Sequence, residues 1–278
     1  TPVFNDALLY RQWDMINTGD KSVNKYAVAG YDINVSEAWK YTTGDPSVVV
    51  AVIDQGVDYT HEDLNANMWI NNGEIPDNGI DDDNNGYVDD VHGYNFVDNG
   101  ALSWNKYYPN PNRDPNHRYG DVGHGTHVAG TIAAVNNNGK GVCGVAGGDG
   151  TRNSGVRIMA LQIYSGLSTM GGTAEVIAKA FHYAADNGAV IANCSWGAMP
   201  SPGRENDGVY VASRSVQHAA IEYYRSKSNH PNISHNLIVA AAGNDAIQQS
   251  SYPAAYRDYI SVTSFGINGY PEIGRAHV

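Results

Sequence analysis

The chain has 278 residues, 42% hydrophobic and 17% charged, which is enough apolar material for one substantial folded core. Its 29 acids against 17 lysines and arginines give a formal net charge of −12. That balance argues against nucleic acid as a partner, because phosphates demand a basic face. No run of about 18 apolar residues occurs, so no membrane-spanning helix is expected.

Residues 1–33 read as an N-terminal arm, and Thr1 as a processed start. A helix is predicted over 34–40, with Glu37 at the capping-box offset from Asn34. A strand follows over 47–53. It stops at Asp54, and Gly56 lets the chain turn away. Residues 66–120 are crowded with Asn, Asp, Gly, Pro and Tyr and show no helical period. They read as one long insertion loop with a single strand at 94–97. A loop of that length needs a function or an ordering agent.

The next predicted elements are a helix over 125–135, a strand over 156–163 and a helix over 173–187. Glu175 sits in the first turn of that last helix, where the dipole favours an acid. A strand over 189–195, a helix over 209–226 and strands over 236–242 and 259–264 complete the series. The strands are rich in Val, Ile and Ala and lack polar alternation, as strands covered on both faces should. Strand–helix alternation predicts an α/β fold: a three-layer, doubly wound, mostly parallel sheet with helices on both faces. Ligands in such sheets bind beyond the carboxyl ends of strands. Asp54 and Asn244 both fall just past a predicted strand end. Cys143 and Cys194 sit in apolar stretches, which favours two buried thiols over a bridge.

Peptide hydrolysis by a hydroxyl nucleophile needs a base within hydrogen-bond reach and an acid that holds the base in the right tautomer. Asp54 at a strand terminus suits the second task. His124, in Gly123-His124-Gly125-Thr126-His127-Val128-Ala129-Gly130-Thr131, suits the first. Asn244, after Ile238-Val239-Ala240-Ala241-Ala242-Gly243, offers an amide donor for a developing oxyanion. A metal set of Asp54, His124 and His127 is a poorer fit. These histidines are three apart with no glutamate between them, whereas the zincin pair is four apart with one. Taken alone, Asp54-Gln55-Gly56 and Gly243-Asn244 are ordinary turns; the nine-residue histidine segment is highly specific.

In this order and spacing, the segments resemble those of subtilisin-like serine proteases, the subtilases of peptidase family S8. Ser36-Glu37-Ala38-Trp39, His61-Glu62-Asp63-Leu64 and Ser251-Tyr252-Pro253-Ala254 extend the likeness toward thermitase-type members. It covers nearly the whole chain, except an insertion near 67–92. The resemblance implies a serine endopeptidase, secreted or at the cell surface or in the periplasm, made with a propeptide and acting on polypeptides. Asp54, His124 and Asn244 would be its catalytic residues. The substrate backbone would pair with Met170-Gly171-Gly172 and Ser195-Trp196-Gly197. Ala241, Ala242 and Gly243 would line the pocket for the residue before the scissile bond.

The same resemblance implies a structural Ca²⁺ site. Its oxygens would come from Asp6, Asp63, Asn138 and the carbonyls of Val135, Lys140 and Val142. A second Ca²⁺ candidate is read from the insertion itself. Asp81, Asp83, Asn85, the Tyr87 carbonyl and Asp89 follow an EF-hand-like spacing with Gly86 at the turn. His92 stands where that motif has its glutamate, and Asp90 is the expected substitute.

One departure is large. The nucleophile segment of the family, Gly-Thr-Ser-x-Ala-x-Pro, occurs nowhere in the 278 residues. Ser195 lies at a substrate edge, and Ser264 lacks the small residues and proline that should follow. The chain is therefore read as a partial catalytic domain, inactive as it stands, with residues 273–278 as a non-native tail. The alternative is a catalytically dead binding protein on the same scaffold.

Overall fold

The computed structural model describes residues 4–102, 123–164, 172–197, 215–228, 230–244, 252–257 and 259–270. Among these residues seven strands form one sheet: β1 (Val49–Asp54), β2 (Gly93–Asn95), β3 (Gly100–Ala101), β4 (Arg157–Gln162), β5 (Ile191–Cys194), β6 (Leu237–Ala241) and β7 (Ile260–Val262). Their spatial order is β3-β2-β4-β1-β5-β6-β7. Every pairing is parallel except β2 with β3. The α-helices among the described residues are α1 (Val35–Ala38), α2 (Gly123–Ala133), α3 (Ala174–Asp186) and α4 (Ser215–Ser226).

The period of two along the strands sorts side chains between two cores. Val50, Val52, Ile158 and Ala160 face α2 and pack with Ala129, Ala133 and Leu64. Ala51, Ile53, Met159 and Leu161 face the other way, onto Ile177, Phe181 and Ala184 of α3 and Ala220, Ile221 and Tyr224 of α4. Both faces are covered, which is why these strands are apolar throughout. A third cluster, Phe4, Met15, Val35, Trp39 and Cys143, packs the N-terminal arm onto the domain. Cys143 and Cys194 are both buried and free.

Two local expectations are corrected. Asn34 precedes α1 in the left-handed region (φ 54°), and its side chain caps nothing. Its own N–H is held by Asp32 Oδ1 at 2.7 Å, and Glu37 pairs with Lys40 instead. The insertion carries β3 as well as β2, two residues with no sequence pattern to betray them. Of the predicted helix over 209–226, residues 215–226 are helical and 209–214 lie outside the described residues, as does the expected tail over 273–278. α3 is capped by Thr173, whose side chain accepts from the Val176 N–H at 3.2 Å.

Candidate active site

β1, β5 and β6 lie side by side and run in parallel, so their carboxyl ends open on one edge of the sheet. Asp54 closes β1, Ser195 follows β5, and Asn244 follows β6. This is the edge at which doubly wound sheets hold their ligands.

Asp54 is almost fully enclosed, its side chain 2% exposed, whereas that of His124 is 53% exposed. Asp54 Oδ1 accepts from the Gln55 N–H at 2.7 Å and meets His124 Nδ1 at 2.7 Å. With Asp54 ionised, the proton of that contact resides on Nδ1, and Nε2 is left facing outward as an acceptor. Burial pushes the Asp54 carboxyl above the ordinary carboxylate range; its bonds from Gln55 and His124 work against that rise. Its second oxygen, Oδ2, is buried without a hydrogen-bond partner.

The pair is fixed by backbone geometry. Gly56 turns the chain after β1 with φ 100°. A side chain on Gly125 would run into the Gly56 carbonyl oxygen, so glycine lets α2 start directly against that turn. Thr126 Oγ1 accepts from the Asp58 N–H at 2.8 Å and pins the same junction.

Around the strand ends, Asn193, Ser195, Ala241, Ala242, Gly243 and Asn244 line one cavity of about 270 Å³. Four of the six expected substrate-edge residues are described: Gly172, Ser195, Trp196 and Gly197. Met170 and Gly171 lie outside the described residues. Gly172 has φ 64° and donates to the Ile163 carbonyl at 2.7 Å. A Cβ there would strike the Tyr164 ring. Tyr164 in turn packs edge-on against Trp196 at 6.1 Å. Trp196 Nε1 donates to the Ile53 carbonyl at 2.7 Å, tying the segment after β5 to the end of β1. Sequence reasoning assigned Trp196 to the substrate edge, with plain core as the alternative, and missed this bond. It also missed Asn193, whose amide donates to Ser195 Oγ at 2.9 Å.

The two candidate cation sites differ in form. At the first, Asp6 Oδ2 accepts from Asn137 N–H at 2.7 Å and Asp6 Oδ1 from Asn138 N–H at 3.2 Å. Asp63 accepts from Asn138 Nδ2 at 2.7 Å and from Val142 N–H at 3.0 Å. Burial raises the Asp63 carboxyl, and the nearby charge of Asp6 adds to the rise. Among the described residues, the backbone bonds of this turn leave the Val135, Lys140 and Val142 carbonyls unused. Two buried acids and free carbonyl oxygens are a hard-oxygen set that fits Ca²⁺.

At the second, Glu74, Asp83 and Asp90 bring carboxylate oxygens within 4.8 Å of one another. Asn85 joins them, donating to Asp83 at 3.1 Å and to Asp90 at 3.0 Å. Asp81 and Asp89 turn elsewhere. Asp81 accepts from the N–H groups of Asn85 and Gly86, and Asp89 from those of Asn78 and Gly79. Tyr87 points its ring into the cluster of Tyr94, Phe96 and Tyr183. Glu74, which the sequence spacing did not include, thus joins two of the expected residues, Asp83 and Asp90. Glu74 is buried, and its two oxygens accept from the N–H groups of Asp82, Asp83 and Asp89. This donor set too is all oxygen and fits Ca²⁺.

The family model of the subtilases, Peptidase S8, matches residues 45–271. The chain belongs to the subtilase family. Halolysin of Haloferax mediterranei is 32% identical over 237 residues, covering 85% of this subtilase and 34% of halolysin. Subtilisin-like protease 1 of Plasmodium vivax is 46% identical over 99 residues, covering 35% of this chain and 13% of that protein. Among solved structures, the epidermin leader peptide processing serine protease EpiP of Staphylococcus aureus superposes with a TM-score of 0.57 at 22% identity. That match covers 98% of this chain and 55% of EpiP, and it supports the fold. This subtilase spans less than half the length of the curated relatives it matches.

Proposed function

We propose that this subtilase supplies the acid, the base and the oxyanion donor of a serine endopeptidase. The observation that carries the reading is the 2.7 Å bond between buried Asp54 and exposed His124 at the carboxyl edge of the sheet. In the proposed cycle, Asp54 holds the Nδ1–H tautomer of His124. Nε2 then takes the proton of a serine hydroxyl as that oxygen attacks the peptide carbonyl, and later gives it to the leaving amine. The Asn244 amide donates to the oxyanion. Such a donor is worth about 10²–10³ in rate, a magnitude that comes from subtilisin itself. The attacking serine belongs to a Gly-Thr-Ser-x-Ala segment, which these 278 residues do not contain.

The substrate backbone lies between Gly172 and the Ser195–Gly197 segment. The residue before the scissile bond enters beside Ala241, Ala242 and Gly243, whose small side chains leave room for a bulky apolar group. Ca²⁺ occupies one or both acidic sites, where it would neutralise carboxylates and hold the N-terminal arm and the insertion in place. A propeptide and a location outside the cytoplasm complete the proposal. Nep of Natrialba magadii, a halolysin-like extracellular serine protease, is 32% identical over 236 residues.

The test is hydrolysis of a peptide anilide with a large apolar residue before the scissile bond. It uses these 278 residues alone and the same chain extended by a subtilase nucleophile segment. The expected result is no turnover by the first. The second should turn over, be blocked by a serine-directed phosphonofluoridate, and lose at least about 10³-fold in kcat on H124A. Turnover by the 278 residues alone would overturn the reading.

A further inference from the structure

A groove of about 1100 Å³ lies at the opposite end of the sheet from Asp54, where β1 and β4 begin. Its wall includes Arg152, Arg157, Asn153, Asn67, Asn72 and Trp69. Among the described residues no aspartate or glutamate lines it, in a chain with 29 acids and 17 lysines and arginines. The described lining therefore carries two positive side chains and no negative one.

The Arg157 guanidinium is held in place by neutral atoms. Its Nη1 donates to the Ala66 carbonyl at 2.8 Å and to Asn67 Oδ1 at 3.1 Å, and its Nη2 to Asn153 Oδ1 at 2.9 Å. Arginine has five N–H donors in a rigid fork, so this arrangement orients the group and leaves two of them unspent. Among the described residues neither Arg157 nor Arg152 pairs with a carboxylate. Burial disfavours the Arg157 charge, and no fixed counter-ion among them offsets that cost. Arg152 is exposed at the rim. Asp45 and Asp149 stand next to the rim, and each carboxylate is bonded to a residue of the lining, Asp45 to Ser47 and Asp149 to Thr151, so their lone pairs are partly spent there.

We propose that this groove is an exosite for an acidic peptide segment, remote from the Asp54–His124 pair. A carboxylate completes the Arg157 fork, Arg152 takes a second at the rim, and Trp69 with the asparagine amides accommodates the intervening backbone. The charge of the lining decides the occupant: the rest of a molecule at −12 repels acidic peptides, and this surface attracts them.

The experiment is fluorescence anisotropy on the full 278-residue chain, with labelled, C-terminally amidated hexaglutamate as probe and hexalysine as control. It uses wild type, Arg152→Ser and Arg157→Gln at about 0.15 M salt. Arg152 is exposed, so its variant should keep the wild-type circular dichroism and melting curve even if Arg157→Gln unfolds. Hexaglutamate should bind, with affinity falling as salt rises, and Arg152→Ser should weaken it at least about tenfold. Equal affinity for wild type and Arg152→Ser would overturn the proposal. So would binding of inorganic phosphate without any of hexaglutamate, which would mark an ion site and not a peptide exosite.

Discussion

Asp54 is an ionisable side chain placed where water barely reaches, held by two hydrogen bonds on one oxygen and none on the other. Its folded-state pKa is raised by burial, so above that pKa its charge costs folding free energy. The folded chain takes up the proton before the unfolded chain as pH falls, and the cost is gone below the unfolded value. Replacing it with Asn should therefore raise the melting temperature at pH 7, and the gain should shrink to nothing by about pH 3. A calorimetric pH series on D54N checks this; a variant less stable at pH 7 than wild type would contradict it. In the extended enzyme the same change should lower kcat by about 10⁴-fold, because Asn can fix the wrong tautomer of His124. At this scale the sequence was informative where motif residues act through local backbone: Asp54, Gly56, His124 and Gly125 lie within two short segments. It was silent on Trp196 to Ile53, a bond spanning 143 residues that only the finished sheet creates.

The insertion shows the same limit at the scale of an element. Its run of Asp and Asn announces a turn rich in oxygen donors, and Asp83, Asn85 and Asp90 do converge. Glu74 could not be read from the run, because its approach depends on how the loop folds back. Asp90 anchors this loop to α3 through a 2.5 Å bond to the Tyr183 hydroxyl, inside an aromatic cluster with Tyr87 and Phe96. Removing Ca²⁺ should thus loosen a segment packed on the core. We expect EDTA to lower the melting temperature by about 5–10 °C, the equivalent of losing a ligand present at about 100 times its Kd. It should also expose the 66–102 segment to proteolysis. Terbium luminescence should count one ion fewer on Glu74→Gln than on wild type. A melting curve indifferent to EDTA would remove both sites.

For the molecule as a whole, six of the seven described strands and their parallel arrangement were legible, mostly because strands buried on both faces advertise themselves as apolar runs. One edge was not: β3 is two residues long. The other edge of the described sheet, β7, leaves Ile260 and Val262 about half exposed. An apolar edge strand invites pairing with another chain. The 278-residue chain should therefore scatter light at micromolar concentration, and I260K/V262E should raise its soluble limit severalfold; no difference by sedimentation would dismiss the edge as the cause. The position of β1 carries a further consequence, for the moment of synthesis. It is hydrogen-bonded on one side to β4 and on the other to β5, both encoded roughly a hundred residues or more downstream. At about 5–20 residues per second, a ribosome leaves Val48-Val49-Val50-Ala51-Val52-Ile53 without either neighbour for about 5–20 s. The strand that ends in Asp54 is thus an unpaired apolar segment of the nascent chain, and a cell making this protein must keep it apart from its copies on the same messenger until β4 arrives.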